Sequence, residues 1–189
     1  MRDWPFSPYR PFSFDVVCAD PPWLFSLRSE KGEGKAPQAH YACMDIGAIK
    51  ALPVGDLASR DCWLFLWTSA PLLDQAFDVL RAWSFSYVSR TTWRKTTVNG
   101  KVRVGPGYVV RSMSEDVLIG KIGAPSCAKA LPSLFDGLAR EHSRKPDEFF
   151  RLVEGFAPDA ARLDLFSRES RAGWSNWGDE ANKFDKGAA

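Results

Sequence analysis

No GxxxxGK[ST] stretch occurs in the 189-residue chain, so a P-loop phosphate cradle is excluded. There is no GxGxxG either; the only close glycines, in Gly105-Pro106-Gly107, follow a polar segment and read as a turn. GxSxG is missing, and two histidines, His40 and His142, leave little room for triad chemistry. The four cysteines form no CxxC pair, which argues against a zinc site. Two of them sit inside apolar runs and read as buried thiols, which suits a reducing cytoplasm. No apolar run approaches the roughly 20 residues that span a bilayer. The opening MRDWPFSPYRPF has no apolar h-region, so it does not read as a signal peptide. A net charge of +2, from 25 basic and 23 acidic residues, is too small to argue for nucleic acid by itself.

What is present is aromatic. Eight Trp and thirteen Phe stand in a chain whose 45% hydrophobic and 25% charged content is ordinary for a soluble domain. Such rings serve as core or as stacking plates for flat ligands. FDVVCAD, WLFLW, FSYVSRTTWRK, EDVLIGKI and RLDLFS read as strands. Leu72, Leu73, Ala76, Phe77 and Leu80 share one helical face, as do Phe149, Phe150, Val153 and Phe156, and a short helix is expected near 45–52. Residues 26–40 read as a surface loop or a lid, and 123–134 as a Pro/Ala/Ser-rich connector. Strands alternating with helices predict one α/β domain over 1–189 with a largely parallel sheet and helices on both faces. Ligands bind such sheets at the carboxyl ends of the strands.

One stretch carries chemistry. FDVVCADPPW ends an apolar run on Asp20 and then stiffens the chain with Pro21 and Pro22. Alone it reads as a turn, because proline fixes φ and forces the preceding residue to be extended. At a strand's carboxyl end it reads as a shelf. The Asp20 carboxylate and the Pro21 carbonyl could accept the two N–H groups of an exocyclic amine, whose lone pair is otherwise delocalised into its ring. Trp23 follows, either as a base plate or as a core residue.

Asp20-Pro21-Pro22-Trp23 resembles the signature of the adenine-N6 methyltransferase family typified by the catalytic subunit of the eukaryotic mRNA methyltransferase. HYACMDIGAIKALPV, WLFLWTSAPLL, GYVVRSMSEDVLIG, REHSRKPDEFFRLVEGFAP and LDLFSRESRAGWSNWGDE resemble family blocks in family order, over roughly residues 14–180. The resemblance implies a Rossmann-like fold with permuted motif order, S-adenosylmethionine as cofactor, and a bacterial or phage member in the cytoplasm. Its substrate would be adenine in DNA, favoured over RNA, single-stranded or flipped from a duplex. A homodimer or a partner subunit is compatible with it. Carried over by position, it implies that Asp20, Pro21, Pro22 and Trp23 form the catalytic shelf, with Asp20 also near the cofactor. Lys145 joins cofactor to base. Asp164, Leu165, Phe166, Arg168 and Ser170 line the cofactor pocket, and Asp179 and Glu180 hold ribose hydroxyls, Asp179 standing where the family often has Asn. Tyr41, Trp67, Trp93 and Glu115 surround the base.

The run from Arg90 to Arg111 holds six basic residues, Arg94 and Lys95 among them, and no acidic one. It reads equally as a solvated face or as a phosphate-contacting hairpin. Two rival functions stand beside the methyltransferase reading. One is a non-catalytic nucleic-acid-binding or activating subunit, and the other an enzyme for a different amine such as that of cytosine.

Overall fold

The computed structural model describes residues 4–24, 43–107, 109–141 and 144–185. Among the described residues seven strands form one sheet: β1 (Phe14–Ala19), β2 (Ala58–Thr68), β3 (Ser86–Thr96), β4 (Ser114–Ile122), β5 (Leu134–Leu138), β6 (Arg162–Leu165) and β7 (Ser175–Trp177). Their order across the sheet is β5-β3-β4-β2-β1-β6-β7. Strand β4 is antiparallel to both neighbours, β2 and β3, and the remaining pairings are parallel.

The central strands are apolar on both faces because both faces are covered. Along β1, Val17 and Ala19 join one core, and Val16 and Cys18 join the other. Along β2, Cys62, Leu64 and Leu66 alternate with Phe65 and Trp67 in the same way. The first core is covered by α1 (Ile46–Ala51) and α2 (Leu73–Ala82), which contribute Ile49, Ala76, Val79 and Leu80. The second is covered by α3 (Asp147–Phe156), whose Phe149, Phe150, Val153 and Phe156 pack on Phe65 and Trp67. Asp45 caps α1 by accepting from the Ala48 N–H at 3.0 Å. Pro146 precedes α3, where its missing N–H is no loss, and Asp147 and Glu148 suit the positive end of the helix dipole. Cys18 and Cys62 are buried free thiols.

The sequence pattern and the structure differ at both edges. Strand β5 was not expected: Leu134 to Leu138 carries an Asp-Gly pair that reads as a turn, and only Phe135 and Gly137 are buried. Strand β7 is three residues long, too short to leave a period. Strand β2 begins five residues before its apolar run, through Ser59, Arg60 and Asp61. The expected helix over 71–83 opens as a 3-10 turn, Ala70–Leu72, before α2 begins.

The chain leaves β1 toward β2 on one side and returns on the other side as β6. Such a switch in strand order opens a crevice beyond the carboxyl ends, and Asp20 and Phe166 lie at its two banks.

Candidate active site

Asp20 leaves β1 with its N–H donating to the Leu165 carbonyl at 3.2 Å. The Pro21 carbonyl accepts from the Trp23 N–H at 2.8 Å, and the Pro22 carbonyl from the Met44 N–H at 2.8 Å. The shelf is thus fixed by backbone bonds on both sides; Pro21 is buried and Pro22 half-buried, and of the four motif residues Asp20 is the one in the cleft lining. Trp23 is a core residue: it is 8% exposed, packs in the first core, and its indole N–H donates to the Trp67 carbonyl at 3.2 Å. It therefore ties β1's end to β2's end rather than presenting a face to the crevice.

A line of alternating charges leads away from Asp20. Lys145 Nζ lies 3.0 Å from Asp20 Oδ2 and 3.1 Å from Glu115 Oε2. Lys95 Nζ lies 2.6 Å from the other Glu115 oxygen. Each ammonium sits over an indole, Lys145 over Trp67 and Lys95 over Trp93, both at 5.1 Å, and the two indoles meet edge to face. Burial raises the Asp20 carboxyl above its usual range; Lys145 opposes this and Glu115 adds to it. Burial would raise Glu115 too, but its two lysines prevail and hold it at about 2. Burial would lower Lys145, but the two carboxylates lift it above the ordinary lysine range.

Lys145 is placed by what precedes α3. A Cβ on Gly137 would fall 2.7 Å from Pro146 Cβ and 2.7 Å from Trp93 Nε1, so only glycine lets Pro146 rest against β5. The Gly137 carbonyl also accepts the Trp93 indole N–H at 2.8 Å.

On the opposite bank, Phe166 takes a φ of 64°, a left-handed conformation unusual for an aromatic residue, immediately after β6. Gly178 makes this possible, because a Cβ there would lie 3.0 Å from Phe166 Cα. Buried Asp164 accepts from Ser167 Oγ at 2.9 Å and faces Arg171 at 3.3 Å. Its desolvation outweighs these partners and pushes its carboxyl up to about 7. Arg171 stacks 3.6 Å over Phe150 and also bonds Glu169, which pairs with Arg144. Arg168 pairs with Glu180 at 2.9 Å. The banks flank a shallow cleft open to solvent. Carboxylates, guanidinium and ammonium groups and aromatic faces line it together, a mixture suited to a zwitterion joined to a flat ring.

Of the residues expected from sequence, Asp20, Trp67, Lys145, Asp164, Phe166 and Arg168 line this cleft. Glu115 stands behind Lys145, and Glu180 behind Arg168. Others are placed elsewhere. Leu165 is fully buried in the first core, because alternation along β6 sends it to the face opposite Asp164. Ser170 is exposed and bonded to Asn176, Asn182 and Asp185, and Asp179 is exposed outside the cleft lining. Trp93 is 3% exposed in the second core. Arg94 points away from Lys95 and makes a two-pronged pair with Asp136 on the surface. Tyr41 and the expected lid over 26–40 fall outside the described residues. Sequence reasoning missed Arg144, Ser167, Glu169 and Arg171 in the lining. The alternating charges of SRESR were the available signal, and they read as surface until the fold closed over them.

Among the described residues no group of three or more His, Cys, Asp or Glu could hold a metal ion, and no helix is long and apolar enough to cross a membrane. Type II methyltransferase M.MunI of a Mycoplasma species is 27% identical, over 87% of this chain and 76% of its own length. An N(6)-adenosine-methyltransferase MT-A70-like protein of Arabidopsis thaliana is 29% identical over 90% of this chain and 24% of its own. An N(6)-adenine-specific methyltransferase of Homo sapiens is 26% identical over 91% and 38%. The chain thus spans three quarters of the Mycoplasma enzyme but well under half of the plant and human ones. The MT-A70 family model matches residues 14–180, the span that contains the shelf, the charge line and both banks of the cleft, and the chain belongs to that family.

Proposed function

We propose that the protein methylates the exocyclic N6 amine of adenine in nucleic acid, with S-adenosylmethionine as methyl donor and DNA as the favoured substrate. The observation that carries this reading is the Asp20-Pro21 shelf set beside a cleft of mixed charge. The preference for DNA rests on coverage: the chain matches three quarters of the Type II methyltransferase M.MunI, against about half of a fungal RNA methyltransferase and a quarter of the adenosine-named plant enzyme.

Asp164, Phe166, Arg168 and Lys145 are the residues that would hold the cofactor, Arg168 through its carboxylate or ribose. When bound, S-adenosylmethionine supplies an electrophilic methyl on a sulfonium. The chain's own residues prepare the nucleophile. Asp20 accepts one N–H of the amine and the Pro21 carbonyl accepts the other, which draws the nitrogen lone pair out of conjugation. Lys145 keeps Asp20 ionised, while burial and Glu115 keep that carboxylate basic enough to take the amine proton at Oδ1 or Oδ2, or to pass it to water. A base inside a duplex cannot reach this shelf, so the adenine is unpaired or flipped out.

The basic run divides in two. The β3 residues are neutralised, Arg90 by Asp116, Arg94 by Asp136 and Lys95 by Glu115. Beyond β3 the chain turns back at 97–101, and Lys101, Arg103 and Arg111 meet no carboxylate among the described residues. Arg103 reaches the carbonyls of Ala139 and Arg140, close to Lys145 in the chain. This arm is the favoured phosphate contact.

Transfer of labelled methyl to DNA and RNA oligonucleotides, followed by mass spectrometry of the nucleosides, tests the reading. N6-methyladenine in DNA, lost in Asp20→Ala, is the expected result. Wild-type activity in Asp20→Ala, or a product other than N6-methyladenine, overturns it.

A further inference from the structure

Lys95 stands out because its sequence context points one way and its contacts another. It belongs to the basic run, yet its ammonium does not face outward. It is 21% exposed, bonds one oxygen of Glu115 at 2.6 Å, and covers the Trp93 ring at 5.1 Å. The second Glu115 oxygen holds Lys145, and Lys145 holds Asp20. Strand register fixes this arrangement. Glu115 pairs with Trp93 across β4 and β3, and Lys95 lies two residues beyond Trp93 on the same face.

We infer that Lys95 is a positioning residue for the methyl-transfer step, acting through Glu115 and Lys145 on Asp20, and is not a phosphate contact. The inference rests on the reading of Asp20 as the acceptor of the target amine. Two negative charges, Asp20 and Glu115, flank the one Lys145 ammonium. With Lys95 present the four groups sum to zero, Glu115 is satisfied at both oxygens, and Lys145 remains free to lean on Asp20. Without Lys95, Glu115 has one cation left and competes with Asp20 for it. The other charged groups around Asp20 are Asp164 on β6 and Arg168 in the loop after it, with Arg171 paired to Asp164. None of them touches Glu115, so none replaces Lys95.

The consequence is a shift in the pH at which Asp20 becomes a competent acceptor. Weaker hold by Lys145 favours protonated Asp20, which accepts an N–H more weakly and cannot take the amine proton. The acidic limb of kcat should therefore move to higher pH in Lys95→Met. One pH unit along that limb is tenfold in rate, so each unit by which the limb moves costs about tenfold at pH values on it and little at alkaline pH, where Asp20 is ionised in both proteins. Lys95→Gln keeps an N–H donor but not the charge, and should show the same shift. Lys95→Arg keeps the charge and should restore the wild-type limb. The salt slope of nucleic-acid binding should be unchanged in all three.

A second readout needs no activity. The Asp20 carboxyl carbon, followed by ¹³C NMR and assigned by its loss in Asp20→Asn, should titrate at higher pH in Lys95→Met and Lys95→Gln than in wild type. An Asp20 titration that does not move overturns the inference. So does a loss of rate equal at every pH, accompanied by a salt slope smaller by about one, which is the mark of a phosphate contact. A wild-type protein that methylates no adenine overturns the methyltransferase reading instead, and the Asp20 titration then decides the Lys95 coupling by itself.

Discussion

Replacing Lys145 with methionine isolates the electrostatics of the site, because the stem is kept and only the ammonium is lost. Wild-type Lys145 lies 3.0 and 3.1 Å from two carboxylates, and all three side chains are less than a quarter exposed. At an effective dielectric constant of about 20, each contact is worth about 5 kcal/mol before desolvation is subtracted. Removing one partner of a buried pair costs about 3–5 kcal/mol. Here proton uptake sets a ceiling. Asp20 and Glu115 can share one proton, and protonating a carboxyl of ordinary pKa near 4 costs about 4 kcal/mol at pH 7 but only about 1.4 kcal/mol at pH 5. The folded variant then binds one more proton than its unfolded chain, so its stability rises as pH falls. In wild type, Lys145 sits above the ordinary lysine range and stays charged throughout, and Glu115 at about 2 does not titrate in this window. Urea unfolding should therefore give a destabilisation of about 3–4 kcal/mol at pH 7, shrinking to about 1–2 kcal/mol at pH 5. Equal values at the two pH values, or less than about 1 kcal/mol at pH 7, would refute the bridging role. Methyl transfer by the same variant should fall by at least about a hundredfold.

Gly137→Ala forces Pro146 off β5 and crowds the Trp93 indole; thermal unfolding should show a loss of about 1–3 kcal/mol, with kcat falling more than the affinity for cofactor. Asp164, with its carboxyl at about 7, should make cofactor affinity fall as pH drops from 8 to 6, and calorimetry on Asp164→Asn should give a flat, weaker profile. Because the folded Asp164 pKa is raised, its contribution to stability is full below about pH 4 and is lost as pH rises through about 7. The variant should therefore gain stability relative to wild type between pH 5 and 8, and an unchanged difference would contradict the burial argument. Trp23→Phe removes the bond to the Trp67 carbonyl; chemical denaturation should show a loss of about 1–2 kcal/mol, while the KM for nucleic acid holds. A raised KM with unchanged stability would return Trp23 to the role of base plate.

Local signals explain which elements the sequence revealed. The runs in β1, β2 and β6 and the phenylalanine stripe of α3 are periodic enough to identify without a fold, and Pro146 marks where α3 starts. Strands β5 and β7 are held by pairing with β3 and β6 rather than by their own composition, so nothing local announces them. Among the candidate site residues, Asp20, Lys145, Asp164 and Arg168 were legible from motif order. Leu165, expected in the cofactor pocket, has its side chain in the first core, on the face that period two already sets opposite Asp164. Arg94 and Lys95 are adjacent in a basic run, and only the pleat separates a surface ion pair from a member of the charge line.

The sequence by itself determined that a carboxylate ends β1 on a proline-stiffened backbone, that a lysine precedes a proline-started helix, and that both belong to an α/β chain. Short-range constraints suffice for this, since φ restriction and side-chain period act within a few residues. The tertiary structure alone decided that Lys145 bridges Asp20 to Glu115, that Trp23 turns into the core, and that β4 runs against its neighbours to bring Glu115 up behind Lys145. Those facts join residues as much as 125 positions apart (Asp20 and Lys145), and only the sheet order brings such distances down to hydrogen-bond length.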